Sequence, residues 1–233
     1  MQKVAFITGT GKGIGKAITE ILLDENYLVF GFSRSNTIKH QNFNFTQINL
    51  ANLEQVQEIT FPKLEGKDVL LINNAATIGE IVPIDLKSES AIIEEYNLNI
   101  ITPTLLCKKF IQSYNEKHKL IINLSSGAAN KSIVSWNTYC ATKSALDRLT
   151  DVIAKENHKN LHVFSVHPGI VDTNMQAEIR NSDPNLFPLH QNFVDYYTQN
   201  SLISVKSTAL GLHHIIVKKN NLEEIILDLR NFQ

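Results

Sequence analysis

Short apolar runs bounded by polar or glycine-rich sequence alternate with longer segments of helical periodicity along most of this chain. Positions 4–8, Val-Ala-Phe-Ile-Thr, read as a strand, and 8–15 as a glycine-rich turn. Positions 16–26 carry Ala17, Ile18, Ile21 and Leu22 at the spacing of one helix face. A second strand over 28–32 completes a strand, turn, helix, strand unit of about 30 residues, the size of a βαβ crossover. Further strands are expected over 45–49, 69–72, 120–124 and 161–166, with a short last one over 224–227. Helical patterns fill 90–114, 138–157 and 205–218. The first of these contains Pro103, which lacks a backbone N–H and should kink or divide it. The alternation predicts an α/β fold, a doubly wound and mostly parallel sheet with helices on both faces. Residues 174–204, with Pro184 and Pro188, have little periodicity and give no clear element.

Composition narrows this picture only a little. The 233 residues, 43% hydrophobic and 19% charged, suit one domain spanning 1–233, with no repeat, low-complexity tract or linker to divide it. A formal charge of -1 gives no electrostatic reason to expect a nucleic-acid partner. Cys107 and Cys140 are too few for a disulfide framework and have no C-x-x-C spacing, which points to a reducing, cytoplasmic setting. The N-terminal residues from Met1 read as a strand rather than a signal peptide, and no apolar run approaches the roughly 18 residues of a membrane span. The eight histidines, including His213 and His214, show no zinc-ligand spacing.

Three stretches carry candidate chemistry. Thr8-Gly9-Thr10-Gly11-Lys12-Gly13-Ile14-Gly15 lies between the first strand and the first helix, where glycines let the backbone approach a pyrophosphate and the helix N-terminus offers free N–H groups. It lacks the G-K-[ST] of a Walker loop. The second strand ends Ser33-Arg34, so a basic residue stands where an acidic one would bind the adenosine ribose of NAD. With Lys12 as a second cation this favours NADP, although both charges would also serve on an ordinary solvated surface. Finally, Tyr139 and Lys143 stand four apart on a helical segment and share a face. A cation beside a phenol favours the phenolate and brings a group of pKa about 10 toward useful acid–base work. Such pairs also occur on solvated helices, so the spacing alone does not decide.

Taken in order, these motifs resemble the short-chain dehydrogenase/reductase family over nearly the whole chain. Thr8 to Gly15 fits the family's T-G-x-x-x-G-x-G, and Asn73-Asn74-Ala75-Ala76 falls at its N-N-A-G. Asn99 fits the active-site asparagine, Ser126 the serine thirteen positions before the tyrosine, and Tyr139 with Lys143 the Y-x-x-x-K. Pro168-Gly169 followed by Thr173 fits the segment that closes over the nicotinamide. Within the family, the runs from Asn123 to Ala129 and from Pro168 to Ala177 resemble bacterial benzil reductases and, more distantly, sepiapterin reductases. Two positions depart from the pattern. Ala76 replaces a glycine, a small change if its φ is negative. Asn49 replaces an aspartate that contacts adenine, which would alter that contact without abolishing it.

The resemblance implies a Rossmann-type fold and an NADPH-dependent reduction of a small ketone or α-diketone. Ser126 would orient the carbonyl, Tyr139 protonate it, Lys143 lower the Tyr139 pKa and hold the nicotinamide ribose, and Asn99 help to place a water on the proton path. The implied cofactor contacts are Gly9, Gly11, Lys12, Gly13, Ile14, Gly15, Ser33, Arg34, Asn49, Leu50, Asn74, Ala75, Tyr139, Lys143, Pro168, Gly169, Val171 and Thr173. Ser126, Trp136 and Tyr139 would meet the substrate, although a lone Trp is as often packing. Asp228 matches the carboxylate that anchors a pterin in sepiapterin reductases, yet an aspartate ending a short strand is more often a turn residue. Cys140 reads as a packing residue. The resemblance also implies a homodimer or homotetramer built on the helices in 90–114 and 138–157. A 3-oxoacyl or hydroxysteroid oxidoreductase would share these catalytic residues, and a third reading is a cofactor-sensing protein without turnover.

Overall fold

Strands that are apolar on both sides need cover on both sides, and the inner strands of this protein's sheet obtain it. The computed structural model describes residues 3–64 and 68–232; Met1 and Gln2 of the N-terminal run lie outside the described residues. The strands are β1 (Val4–Thr8), β2 (Leu28–Ser33), β3 (Phe43–Gln47), β4 (Asp68–Asn73), β5 (His118–Leu124), β6 (Leu161–His167) and β7 (Ile226–Asp228). They form one sheet in the order β3-β2-β1-β4-β5-β6-β7. Every neighbouring pair is parallel, so the mostly parallel sheet expected from the pattern is wholly parallel among the described residues.

Period-two alternation divides the core. Ala5 and Ile7 of β1 join Ile18 and Leu22 of α1 (Gly13–Asp24) and Leu212 and Ile215 of α8 (Val205–Lys218) on one face. Val4 and Phe6 point the other way, toward Leu106 and Phe110 of α4 (Thr102–Ser113) and Ile153 of α5 (Asn137–Lys155). Phe6 is fully buried among the rings of Phe30, Phe61, Phe110 and Tyr114. A third cluster, around Trp136, Phe187 and Phe193, lies outside the sheet layers.

Several sequence expectations shift. The third strand runs Phe43–Gln47 rather than 45–49, because Phe43 and Phe45 provide the inward positions of an edge strand. The short α2 (Leu53–Glu58), capped by the Asn52 side chain accepting from Gln55 N–H, has too few residues to show a period. The segment 90–114 is divided as Pro103 required: α3 (Glu89–Tyr96), a π turn (Asn97–Ile101), then α4 with Pro103 in its first turn. The featureless segment 174–204 contains α6 (Asn174–Arg180) and α7 (His190–Thr198), held by the third cluster rather than by the sheet.

The chain builds outward from β1 to β3, then returns to β4 and builds the other way. That reversal opens a crevice at the C-terminal ends of β1 and β4, the topological switch point of such sheets. Among the described residues no helix is long and apolar enough to cross a membrane.

Candidate active site

The crevice is a cleft of about 310 Å³, with the glycine turn at one end and Tyr139 and Lys143 at the other. The turn is pinned from β4. Thr8 Oγ1 accepts from the N–H groups of Asn74 (2.9 Å) and Ala75 (3.0 Å), and Asn74 Nδ2 donates to the Thr8 carbonyl at 2.9 Å and the Gly9 carbonyl at 3.3 Å. Gly9 has φ +74, and a Cβ on Gly15 would stand 2.3 Å from the Gly9 carbonyl oxygen, so neither tolerates a side chain. At Gly13 a Cβ would meet only Thr173 Cγ2, at 3.6 Å, so its backbone opens onto the cleft and its φ of +57, not crowding, asks for glycine. Lys12 occupies the N-cap position of α1 without a side-chain cap bond, and the first turn holds no acidic residue. Free N–H groups, the helix dipole and Lys12 together form a donor set for a diphosphate, so these residues fit a dinucleotide.

The end of β2 closes over the same turn. Thr10 Oγ1 lies 3.3 Å from Ser33 Oγ, and a Cβ on Gly11 would meet the Ser35 carbonyl oxygen at 2.6 Å. Arg34 is exposed beside it. Among the described residues neither Lys12 nor Arg34 is paired with a carboxylate. Asn49 lines the cleft, its Oδ1 accepting from Ala51 N–H at 3.1 Å. Ala76 is not among the residues with positive φ, so its methyl group adds no strain.

At the other end, the first turns of α5 present Tyr139 and Lys143 toward the ends of β5 and β6. Lys143 is buried and donates from Nζ to the Leu124 carbonyl at 2.8 Å. Burial pushes its pKa down to about 8, against the pull of Asp147. Burial also pushes the Tyr139 phenol up to about 12, against a hydrogen bond with Ser126. The sequence led us to expect the opposite direction for Tyr139. The correction follows from geometry: Lys143 Nζ stands 5.8 Å from the Tyr139 ring centroid, and desolvation of the phenolate outweighs what the hydroxyl receives from its neighbours. Ser126 caps the turn Gly127–Asn130 by accepting from Ala128 N–H at 3.1 Å.

Asn99 sits in the π turn, almost wholly buried. Its Oδ1 accepts from Thr77 N–H at 2.9 Å, and its Nδ2 donates to the Thr77 carbonyl at 2.9 Å and Thr142 Oγ1 at 3.3 Å. It therefore clamps the chain after β4 to α5 one residue before Lys143. A further clamp holds the start of α5, where the Thr138 hydroxyl bonds Glu95 and Glu95 pairs with Lys87 at 2.6 Å, all three buried.

Of the residues that sequence reasoning assigned to cofactor contacts, all but Gly15, Gly169 and Val171 line the cleft. Gly15 is buried under the turn, and Val171 bridges to Ile203 beneath the segment after β6. Trp136 does not line the cleft; it stands edge-on to Tyr139 at 5.6 Å and stacks on Phe187, forming a wall behind the phenol. Asp228 does not line it either, since Arg230 holds its carboxylate as a turn residue would. Cys140 packs against the third cluster. Sequence reasoning missed Met175, whose Sδ lies 3.9 Å from Tyr139 Oη, and Thr77, which lines the cleft and is held by Asn99. It also missed Asp147, whose i+4 spacing from Lys143 was a readable signal. Among the described residues no group of three or more His, Cys, Asp or Glu is placed to hold a metal ion.

Comparison with known proteins agrees with this geometry. Residues 3–184 match the family model for short chain dehydrogenases. The benzil reductase ((S)-benzoin forming) of Bacillus subtilis is 32% identical over 250 aligned positions, spanning 99% of this chain and 100% of that protein. The sepiapterin reductase of Bos taurus is 33% identical over 133 positions, spanning 54% of this chain and 49% of its own. The crystal structure of a short-chain dehydrogenase/reductase from Saccharomyces cerevisiae has the same fold, with a TM-score of 0.87 at 24% identity over 97% of this chain and 96% of that one. The chain thus belongs to the short-chain dehydrogenase/reductase family, close to the benzil and sepiapterin reductases, and is an oxidoreductase of alcohol and carbonyl groups that works with a nicotinamide cofactor.

Proposed function

We propose that this protein is an NADPH-dependent carbonyl reductase acting on a small ketone, with α-diketones the leading class. The observation that carries the reading is the placing of Tyr139 and Lys143 at one end of a cleft whose other end is a glycine turn fit for a dinucleotide, with Ser126, itself not lining the cleft, bonded to the Tyr139 phenol. The cofactor, when bound, supplies the hydride; the protein supplies position and electrostatics. A phenol pushed up to about 12 stays protonated at neutral pH, which suits Tyr139 to give a proton to a developing alkoxide. Ser126 donates to the same oxygen and stabilises charge that grows in the transition state. Lys143 spends one donor on the Leu124 carbonyl, and its others would hold the nicotinamide ribose. The Asn99 side chain is spent on Thr77 and Thr142, and Pro103 has no N–H to give the Asn99 carbonyl. That carbonyl holds the water that continues the proton path from Lys143.

Lys12 and Arg34, free of carboxylate partners among the described residues, bind the 2′-phosphate that distinguishes NADP from NAD. Support for an α-diketone comes from full-length likeness to a protein named benzil reductase and from the apolar Met175 side chain, which lines the cleft beside the Tyr139 hydroxyl. The enzyme works as one domain over 1–233 in the cytoplasm. It assembles as a dimer or tetramer through α4 and the stripe Ala141, Ser144, Ala145, Arg148 and Val152 exposed along α5. An NADPH-oxidation screen against α-diketones, pterins, acyl thioesters and steroids tests the reading, with fastest turnover expected for an aryl diketone. Tyr139→Phe should abolish that turnover and leave NADPH binding intact. Tight NADPH binding without turnover of any class would instead identify a sensor, and full activity of Tyr139→Phe would sink the catalytic assignment.

A further inference from the structure

The reaction proposed above uses Lys143 as an ammonium, yet Lys143 is 2% exposed, and burial opposes its charge. Asp147 stands one helical turn further along α5, on the same face, and is itself 5% exposed. A carboxylate buried to that degree needs partners, and it has them on the neighbouring strand. Asp147 Oδ1 accepts from Ser165 Oγ at 2.5 Å, and Oδ2 lies 2.8 Å from His167 Nε2. The Ser125 hydroxyl adds a bond to the same carboxylate and lies 3.3 Å from the Lys143 carbonyl oxygen. These bonds hold the Asp147 carboxyl below its ordinary range despite burial, so it is an anion at neutral pH.

We propose that Asp147 is a positioning residue for Lys143: its carboxylate, fixed by His167, Ser165 and Ser125 one helical turn away, is the counter-charge that keeps the buried ammonium protonated at the end of the cleft. The surroundings leave the role to it. On α5 itself the other titratable neighbour is the Tyr139 phenol. β5 contributes the Leu124 carbonyl and the Ser125 hydroxyl, neither of them charged. β6 contributes His167, which faces Asp147, and β7 contributes Asp228, in register with His167 and held by Arg230. Among the described residues Asp147 is the one charged group whose field acts on Lys143. The inference rests on the reductase reading for its meaning, but its test does not need turnover.

The test is a direct titration of Lys143 by NMR in the full-length protein labelled at the lysine ε-carbon, the signal being assigned by its loss in Lys143→Met. In the parent the midpoint is expected near 8. In Asp147→Asn, isosteric and neutral, it should fall by about one unit or more, and Asp147→Glu should restore most of the loss. The upper pH at which kcat/KM falls should move down with it. An unchanged Lys143 midpoint in Asp147→Asn overturns the inference, because a merely structural Asp147 would alter melting temperature but not that midpoint. If the Asn variant does not fold, Asp147→Ser, which keeps a hydroxyl for His167, is judged by the same criterion. A shifted midpoint in a protein that reduces no carbonyl would uphold the charge pairing and refute the reductase reading. Turnover with an unshifted midpoint would do the reverse.

Discussion

Replacing Thr8 by Val tests whether the glycine turn is held by hydrogen bonds from β4 rather than by its glycines alone. Valine matches threonine in shape and suits a strand, so the change removes one hydroxyl and little else. That hydroxyl accepts from the N–H groups of Asn74 and Ala75, at 2.9 and 3.0 Å, and donates to the Ile72 carbonyl at 3.4 Å. Thr8 is 2% exposed, while Asn74 and Ala75 are partly buried, so water replaces the lost acceptor only in part. Two donors losing their acceptor cost about 1–3 kcal/mol each when fully desolvated. Partial exposure places the total at roughly 2–4 kcal/mol, a fall in melting temperature of about 4–16 °C for a chain of this size. The turn should also loosen, so NADPH affinity should fall about tenfold, since 1.4 kcal/mol of the loss would appear at the site. Urea denaturation with and without NADPH, alongside a fluorescence titration of NADPH, measures both effects. Thr8→Ser, which keeps the hydroxyl, should recover most of the affinity. A Thr8→Val protein with parental stability and parental NADPH affinity would refute the reasoning.

Other outcomes follow from the same contacts. Arg34→Asp should weaken NADPH about 10- to 100-fold and leave NADH nearly unchanged, as read by the two dissociation constants; an unchanged preference would show that Arg34 does not meet the phosphate. Gly79→Ala places a Cβ 1.8 Å from Glu95 Oε1 at φ +65, in a buried pair with Lys87, and should lower unfolding free energy by at least about 2 kcal/mol in urea. Lys143 has a folded pKa near 8, below the 10.5 of an ordinary lysine, so between those values the unfolded chain binds the extra proton and this group's contribution to stability rises with pH. Below about 8 both states are charged and the burial penalty is present in full. Urea midpoints should therefore rise more from about pH 7.5 to about pH 9.5 in the parent than in Lys143→Met; equal slopes would refute the low folded pKa.

Element type was legible wherever the local pattern is strong. β1, α1, β2 and α8 lie where the apolar spacing put them, because one strand or one helix face is a property of neighbouring residues. Pro103 marked the break between α3 and α4 by its missing N–H. α6 and α7 were not legible, because they are held by Trp136 and Phe187 from a distant part of the chain and not by a period of their own.

For the site, the motif spacings brought the glycine turn, Asn74, Arg34, Tyr139 and Lys143 to one cleft, since each lies just after a strand or at the start of a helix in a sheet with a known switch point. By itself the amino-acid order determined the α/β alternation, the position of the glycine turn and the placing of Tyr139 and Lys143 on one helix face. Tertiary structure alone decided how those groups are charged. The Tyr139 phenol rises and the Lys143 ammonium weakens because both are buried, and Asp147 matters because Ser165 and His167 come to it from β6. The cost of desolvating a charge depends on everything packed around it, and no local spacing records that.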